Sequence, residues 1–354
     1  MPYRINKAQP ITWRDPNTLQ IGLGASSIQI PELTIEQQKI VDALYSGVVS
    51  GQESAIDSIV SADIGQTSKL IDRLEPVLEK EPPKQIDVFG PWQQLAFAEI
   101  ARASLDYEVN GEMVLAERWQ RNIHIDQLDK SGWFLARALL ASGIGTVLTH
   151  DSGKVLNTDL GELGFPKEKL HSKRTIAAVE ELQNYSLTNT AKARLVLLPN
   201  PPKTDVKVSF ALVVGHLALD PTKYSRWANR DVPHLAIIFE LDSIEISPVI
   251  RPGISGCLNC YQQTKIDEDN NWPVIASQLL DLPRIRDDSA SLLTSSGLAV
   301  KMILRFLDIE AGFQLKDDNI NLDLDLGYRI NQLDGSITRM KYDFHPECSC
   351  QSAG

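Results

Sequence analysis

The N-terminal part of the chain alternates apolar and polar positions in three short runs. These runs are Pro10–Asp15, Thr18–Gly22 and Ser27–Pro31, and the turn signal Asp15-Pro16-Asn17 separates the first two. Alternation with a period of two residues is typical of strands that bury one face. The pattern therefore predicts three short strands, which residues favoured in turns connect into a small sheet.

Helical spacing replaces the alternation after Pro31. Thr34 is predicted to begin a helix as its N-cap, and Gln37 three residues later completes a capping box. Two further helical stretches are predicted at Glu53–Ser61 and Thr67–Leu78. Three strands followed by three helices predict a winged-helix-like module over residues 1–80.

Modules of this kind often bind DNA, but the charge of this chain argues against that function. Acidic residues outnumber basic ones within residues 1–80, no cluster of lysine and arginine marks the third helix, and the whole chain has a formal net charge of −11. Neutralisation of phosphates by lysine and arginine supplies most of the affinity for nucleic acid. We therefore expect no nucleic-acid partner, and a winged-helix regulator is the weakest alternative.

A small sheet with an exposed edge beside a helix can also capture an extended peptide as an added strand. The groove would then lie between the third strand and the third helix. Some side chains in these two elements must instead face the core, and the alternation does not say which. The predicted peptide contacts are Ile28, Ile30, Leu70, Ile71 and Leu74.

The length of 354 residues suits two or three domains. Residues 81–120 are too apolar for a solvated linker and are predicted to form a packed connector, and residues 121–354 form an α/β domain with a parallel sheet. The first ten residues carry no export signal, and no apolar run approaches the roughly 20 residues of a membrane helix. We expect a cytoplasmic protein that does not contact a membrane.

The four cysteines of the chain form two close pairs. Cys257 and Cys260 follow a glycine-rich approach, and Cys348 and Cys350 lie near the C-terminus. Two such pairs are typical of a four-thiolate structural zinc site, which leaves no open position for catalysis. A disulfide within a pair fails sterically, so a bridge between the pairs in an exported protein is the alternative.

The start of the α/β domain has the order of a dinucleotide-binding unit without its glycines. A strand at Asn122–Ile125, a helix from Trp133 and a strand at Thr146–Thr149 lead to Asp151, where a ribose hydroxyl is held in such units. The phosphate-binding turn should read Gly-x-Gly-x-x-Gly, but this chain has Asp126–Gly132, with Gly132 alone in place. Two aspartates in that turn would repel a polyphosphate.

Five motifs after Arg121 together carry a resemblance to a known family. The stretch from Arg121 to Cys350 resembles the ThiF-like fold of ubiquitin-activating-type adenylyltransferases. It is more similar to the divergent ThiF-like proteins of thiazole/oxazole-modified peptide biosynthesis, and residues 1–80 resemble their peptide-recognition element. The motifs are Gly143–Asp151, Val232–Leu235, Val249–Cys260, Asn271–Leu279 and His345–Cys350.

The resemblance implies a division of labour in making ribosomally synthesised, modified peptides such as bacteriocins. A YcaO-type cyclodehydratase would use ATP to modify a precursor peptide, and the ThiF-like protein would bind the leader of that precursor and present it. A homodimer through the ThiF-like domain is a further expectation. The implied cofactor is a structural zinc at Cys257, Cys260, Cys348 and Cys350.

The resemblance also implies weak nucleotide contacts at Asp151 and Lys173. Several departures from active adenylyltransferases argue against bound ATP: the glycines are lost, the arginine expected within Asn157–Glu162 is missing, and His216 follows a strand where an acidic residue should bind magnesium. We therefore expect a non-catalytic leader-binding scaffold with a degenerate nucleotide site. An ATP-dependent adenylyltransferase that activates a carboxylate is the alternative.

Overall fold

The structure is a computed structural model in which the chain forms two compact units. Unit 1 spans residues 1–116 with 313–320, and unit 2 spans residues 117–312 with 321–354. The predicted boundaries at residues 80 and 120 stay predictions. The structure describes residues 4–6, 8–24, 27–46, 64–79, 96–107, 109–183, 194–198, 206–284, 287–315 and 324–350.

Unit 1 contains the predicted three-stranded sheet. Its strands β2, β3 and β4 pair antiparallel in that order, and Leu19 lies opposite Ile30. A two-residue strand near the start, β1, pairs with β5, and the sequence pattern did not reveal this short pair. The strands are β1 (Arg4–Ile5), β2 (Ile11–Asp15), β3 (Thr18–Ile21), β4 (Ile28–Ile30) and β5 (Leu78–Glu79).

The helices of unit 1 lie near their predicted positions, but the predicted helix Thr67–Leu78 is observed as Ile64–Leu74, and Leu78 lies in strand β5. The capping box is confirmed, because Gln37 N donates to Thr34 Oγ1 (3.2 Å) and Thr34 N donates to Gln37 Oε1 (3.1 Å). The predicted helix Glu53–Ser61 and the first part of the connector lie outside the described residues. The helices are α1 (Ile35–Ser46), α2 (Ile64–Leu74), α3 (Phe97–Tyr107) and α4 (Gly111–Trp119), the last of which ends in unit 2.

Unit 2 is built on a mixed sheet of eight strands among the described residues. The order is β13-β12-β11-β10-β9-β6-β7-β8; the strands from β10 to β8 are parallel, and β11, β12 and β13 continue antiparallel. The strands are β6 (Asn122–Ile125), β7 (Thr146–Thr149), β8 (Arg194–Leu197), β9 (Phe210–His216), β10 (His234–Phe239), β11 (Ser243–Ile246), β12 (Leu326–Asn331) and β13 (Ile337–Lys341).

Helices cover both faces of this sheet, so its central strands are buried on both sides. One core contains side chains of α5 and α10, and the other contains Trp227, Leu258 and the cysteine pairs. The helices are α5 (Lys130–Ala141), α6 (Arg174–Leu182), α7 (Pro221–Ala228), α8 (Leu258–Glu268), α9 (Trp272–Leu279) and α10 (Ser289–Glu310).

Helix α10 is, by length and composition alone, apolar enough to cross a membrane, which the sequence analysis did not anticipate. Half of its most apolar window is buried inside the protein, where Ala299, Ile303 and Leu307 pack in the core. Near its C-terminal end, Asp308 forms a buried ion pair with Arg118. We interpret α10 as a core helix of unit 2.

Candidate functional site

The fold brings the two cysteine pairs together into one cluster. Sγ–Sγ distances are 3.7 Å for Cys257 and Cys260, 3.6 Å for Cys257 and Cys348, and 3.4 Å for Cys260 and Cys350. All four sulfur atoms lie within 4.8 Å of one another. A tetrahedral ion bound to four thiolates at about 2.3 Å spaces them about 3.8 Å apart. The cluster therefore fits a metal ion with four protein ligands.

The first pair is positioned by the start of α8. Cys257 is the N-cap of this helix and Cys260 lies in its first turn, where the backbone N–H of Cys260 donates a hydrogen bond to the Cys257 sulfur. The chain reaches Cys257 through a tight turn, in which Ser255 Oγ accepts from Arg251 N at 3.0 Å and Gly253 has a φ of +75°. Helix N-termini favour anions, which suits thiolate ligands.

The second pair is tied to α8 through His345. Its Nε2 lies 2.9 Å from Asp267 Oδ2, and its Nδ1 accepts a hydrogen bond from Glu347 N at 3.2 Å. The same histidine accepts a bond from Cys348 N at its carbonyl, 3.0 Å away. His345 thus orients the turn that carries the second pair, and it touches no sulfur in these contacts.

The two segments that carry the cysteine pairs, called here the two hooks, approach each other closely at Gly256. A Cβ atom at this position would lie 2.2 Å from Tyr342 O and 2.7 Å from Asp343 O. Both are backbone atoms of the segment that leads to the second pair, so they cannot rotate away. Only glycine allows the two hooks to come this close.

The thiols of the cluster differ in how readily they ionise. Burial raises the pKa of the Cys257 thiol to about 12. Burial also acts to raise the pKa of Cys348, but hydrogen bonds, above all the 3.2 Å contact from Asn259 Nδ2, lower it to about 7. A metal ion would stabilise all four thiolates, and binding would release protons.

The second candidate site is the turn between β6 and α5, where a dinucleotide-binding fold holds phosphate. Asp129 is the N-cap of α5, and its Oδ1 accepts a hydrogen bond from Gly132 N at 3.0 Å. Asp151 Oδ2 accepts another from Leu128 N at 2.7 Å. The backbone N–H groups of Leu128 and Gly132, which a phosphate could otherwise use, are therefore occupied by carboxylates of the protein itself.

Cations from other parts of unit 2 neutralise these carboxylates. Arg284 NH1 donates to Asp129 Oδ2 at 2.6 Å and also contacts Gln127. Arg226 and Lys223, both on α7, pair with Asp126, and the lysine lies 3.6 Å from it. Although burial raises the pKa of Asp129, the charge of Arg284 leads the interactions that hold it below its usual value. Asp129 is thus a fixed anion where a phosphate would sit.

Sequence reasoning missed the residues that close this turn. Lys130 Nζ donates to Asp287 O at 2.7 Å, and Ser131 Oγ donates to Asp287 Oδ2 at 2.6 Å. Arg284 and Asp287 are more than 150 positions from their partners. No local pattern in the sequence could have indicated these contacts.

The two predicted nucleotide contacts lie in different environments. Asp151 is buried, and its Oδ1 also accepts from Gly153 N at 2.6 Å. Arg174, whose Nε donates to Asp159 at 2.8 Å, lies 3.6 Å from Asp151. Lys173 is exposed at the start of α6. The structure shows no contact between Asp151 and Lys173, and a role in nucleotide binding stays a prediction for both.

The five predicted peptide contacts divide into core and surface positions. Ile30, Leu70 and Leu74 are at most 2% exposed and pack in the core of unit 1, because they face the strands and helices around them. Ile28 and Ile71 pack against the edge of this core and keep part of their surface exposed. Only these two side chains present surface to a peptide lying along β4.

Sequence comparisons identify no relative, since no family model and no curated protein matches the chain. Solved structures are similar. MccB from E. coli, solved with ATP, superposes with a TM-score of 0.63 at 15% identity, covering 99% of both chains. The microcin C7 biosynthetic enzyme MccB in complex with N-formylated MccA gives 0.64 at 16%, covering 99% of this chain and 100% of that one.

A third similar structure is PaaA, with a TM-score of 0.59 at 13% identity, covering 82% of this chain and 95% of that chain. The large parallel-rich sheet and the MccB-like arrangement confirm the predicted α/β class. The chain is therefore similar in fold to MccB along nearly its whole length, and unit 2 has the ThiF-like Rossmann-type arrangement.

Proposed function

We propose that this protein binds the leader of a ribosomally made precursor peptide and presents it to a YcaO-type cyclodehydratase, without activating any carboxylate itself. The observation that carries the proposal is the occupied turn at α5, where Asp129 accepts the hydrogen bond of Gly132 N. The likeness to MccB in complex with N-formylated MccA supports a role in peptide biosynthesis. The YcaO partner rests on the family resemblance.

Electrostatics make the turn unsuitable for a triphosphate. A nucleotide would have to displace Asp129 from Gly132 N and from Arg284, and it would then meet Asp126 nearby. Arg226 and Lys223 both pair with the single carboxylate of Asp126 and so exceed its charge by one, which leaves the displacement of Asp129 as the main obstacle. Phosphoryl chemistry depends on cations and N–H groups that are preorganised for the substrate.

The sheet edge in unit 1 supports the peptide-binding half of the proposal. Strand β4 pairs with β3 on one side, and its other edge has no strand partner within the described residues. Helix α2 packs beside β4 and carries the half-exposed Ile71, while β4 carries the half-exposed Ile28. An added peptide strand would gain main-chain hydrogen bonds from the edge and side-chain specificity from the isoleucines.

Titration of a fluorescently labelled leader peptide, followed by anisotropy, tests this role. Ile71→Ser should weaken binding about tenfold, because it removes apolar surface at the groove. Ile35→Ser makes the same chemical change at a residue of α1 that is 71% exposed and is not one of the proposed peptide contacts, and it should leave binding unchanged. Absence of binding by the unaltered protein at high micromolar peptide would refute the proposal.

An ATP-dependent adenylyltransferase is the second candidate, and the likeness to MccB solved with ATP favours it. The two candidates differ in a simple assay. Pyrophosphate exchange and calorimetric titration with ATP and magnesium should give no signal if Asp129 blocks the turn. Exchange above that of a heat-inactivated sample would establish the enzyme and overturn the scaffold.

We propose that the metal at the cysteine cluster is zinc with a purely structural role. Four thiolates at tetrahedral spacing suit zinc and leave no position for a reacting water. Elemental analysis of the purified protein should give about one zinc per chain. Sedimentation velocity of the same sample will test the proposed homodimer through unit 2.

A further inference from the structure

A cavity of about 320 Å³ lies against the cysteine cluster. It is lined by the face of α7 opposite to the face whose Lys223 and Arg226 pair with Asp126. Its walls come from α7, from the start of α8 and from the segment that carries the second cysteine pair. Nothing in the proposed peptide-binding role uses this cavity. Residues that matter for its chemistry are Tyr224, Asp231, His234, Cys257, Cys348 and Cys350.

The charge on the cavity wall has one sign. No lysine or arginine is among the residues that line the cavity, all of which lie in the described part of the chain. Asp231 supplies a carboxylate, and four thiolates around a divalent ion would carry a net charge of about −2. The wall therefore favours a cation over a neutral or anionic guest.

His234 adds an acceptor to this wall. Its side chain is buried, and its Nδ1 lies 2.9 Å from Val232 O, so Nδ1 carries the proton and donates it to the carbonyl. Nε2 then holds a lone pair and has no hydrogen-bond partner among the described residues, but it is almost completely buried, so a guest in the cavity reaches it only when the wall moves locally. Burial also lowers the pKa of His234 to about 4, which keeps the ring neutral at physiological pH. A buried acceptor without a partner is costly unless a ligand or water supplies a donor.

We propose that this cavity binds a primary ammonium group, which donates to His234 Nε2 while Asp231 and the metal–thiolate cluster balance its charge. Tyr224 contributes an aromatic ring to the same wall, a further favourable neighbour for a cation. An ammonium of this kind comes from a lysine side chain of a polypeptide or from a free diamine. The inference stands on the cavity and does not depend on the leader-binding role.

The test uses the full-length, zinc-loaded protein and three probes. N-acetyl-lysine methylamide represents a lysine side chain, putrescine represents a free diamine, and N-acetyl-norleucine methylamide is the uncharged control. Binding is measured by ligand-observed NMR. At least one of the two ammonium probes should bind at least about tenfold more tightly than the norleucine compound, because only an ammonium can donate a charged hydrogen bond to His234 Nε2. Equal binding of all three probes would overturn the proposal.

Variants locate the site. His234→Leu should weaken binding about tenfold or more by removing the acceptor. Asp231→Asn should weaken it about twofold to fivefold, and asparagine tolerates the φ of +53° at this position. Asp281→Asn is the matched control, an exposed aspartate outside the cavity, and should change nothing.

A spectroscopic readout keeps the proposal testable if His234→Leu fails to fold. The ¹⁵N resonance of His234 Nε2 in the unaltered protein should shift when the ammonium probe is added, because the lone pair becomes hydrogen-bonded. An unchanged Nε2 resonance at saturating probe, or unchanged affinity in Asp231→Asn, contradicts the assignment. Preference for the lysine compound indicates a polypeptide ligand, and preference for putrescine indicates a free amine.

Discussion

Gly256→Ala should destabilise unit 2 and loosen the metal cluster together. The new Cβ would lie 2.2 Å from Tyr342 O and 2.7 Å from Asp343 O. Ordinary contacts of a Cβ atom begin at 3.4 Å, so the two hooks must separate by about 1 Å. Because the opposing atoms belong to the backbone, no rotamer change relieves the overlap.

The size of this effect follows from the overlap. Added methyl groups in packed sites typically cost about 1–3 kcal/mol, and we expect about 3 kcal/mol here because two backbone carbonyls oppose the methyl group. For a domain of this size that corresponds to a fall in melting temperature of about 6–12 °C. Displacement of Cys257 relative to Cys348 should also speed release of the metal, since ligand distances tolerate only about 0.2 Å.

Urea unfolding followed by tryptophan fluorescence gives the free energy, and transfer of metal to a chromophoric chelator gives the release rate. Gly297→Ala is the matched control. This glycine is exposed on α10, and a Cβ there would meet no atom within 4 Å. It should stabilise the protein by about 0.5–1 kcal/mol, because glycine is unfavourable within a helix. If Gly256→Ala proves as stable as the unaltered protein and keeps its metal equally well, the inference that the backbone leaves no room for a Cβ atom at this position is refuted.

Three further predictions concern buried charges and ligands. Arg118→Met should cost about 3–5 kcal/mol in thermal unfolding, because it removes the cation that pairs with the 1% exposed Asp308 carboxylate. Arg284→Met should cost about 1–2 kcal/mol at pH 7. The charge of Arg284 helps hold the pKa of Asp129 below its usual value. The stability that this ion pair contributes is therefore present above about pH 4 and is lost as the pH falls further. Urea titrations of Arg284→Met and of the unaltered protein should converge in acid. Cys260→Ser should abolish metal binding in elemental analysis, and added zinc should not restore the melting temperature.

Local features of the fold could be predicted from the sequence because their causes are local. The three strands of unit 1 follow from alternation, and the start of α1 follows from the reciprocal bonds of Thr34 and Gln37. The unit from β6 to β7 follows from its strand–helix–strand order. The pairing of β1 with β5 involves two residues on each side, too few to form a periodic signal.

The candidate sites were predicted only in part. The paired cysteines indicated a metal site, because cysteine pairs that bind one metal ion have characteristic short spacings in sequence. The alternation could not say how deeply each residue is buried, because Ile28 and Ile30 share one face of β4, yet Ile30 is buried and Ile28 keeps part of its surface exposed. Contacts such as Arg284 with Asp129 arise from tertiary folding and have no sequence signature.

The contacts that fill the nucleotide-type turn also stabilise it. Asp129 is buried, caps α5 and accepts a hydrogen bond from Arg284. Removing its side chain therefore removes the helix cap and the carboxylate that pairs with Arg284. A single change such as Asp129→Gly would therefore weaken unit 2 before it opened a phosphate site, because Asp126 and its own cations would remain. Nucleotide binding at this turn would need several simultaneous substitutions. A chain that uses its anion-binding turn to hold its own fold together is suited to binding a peptide elsewhere, and the edge of β4 is where we expect it.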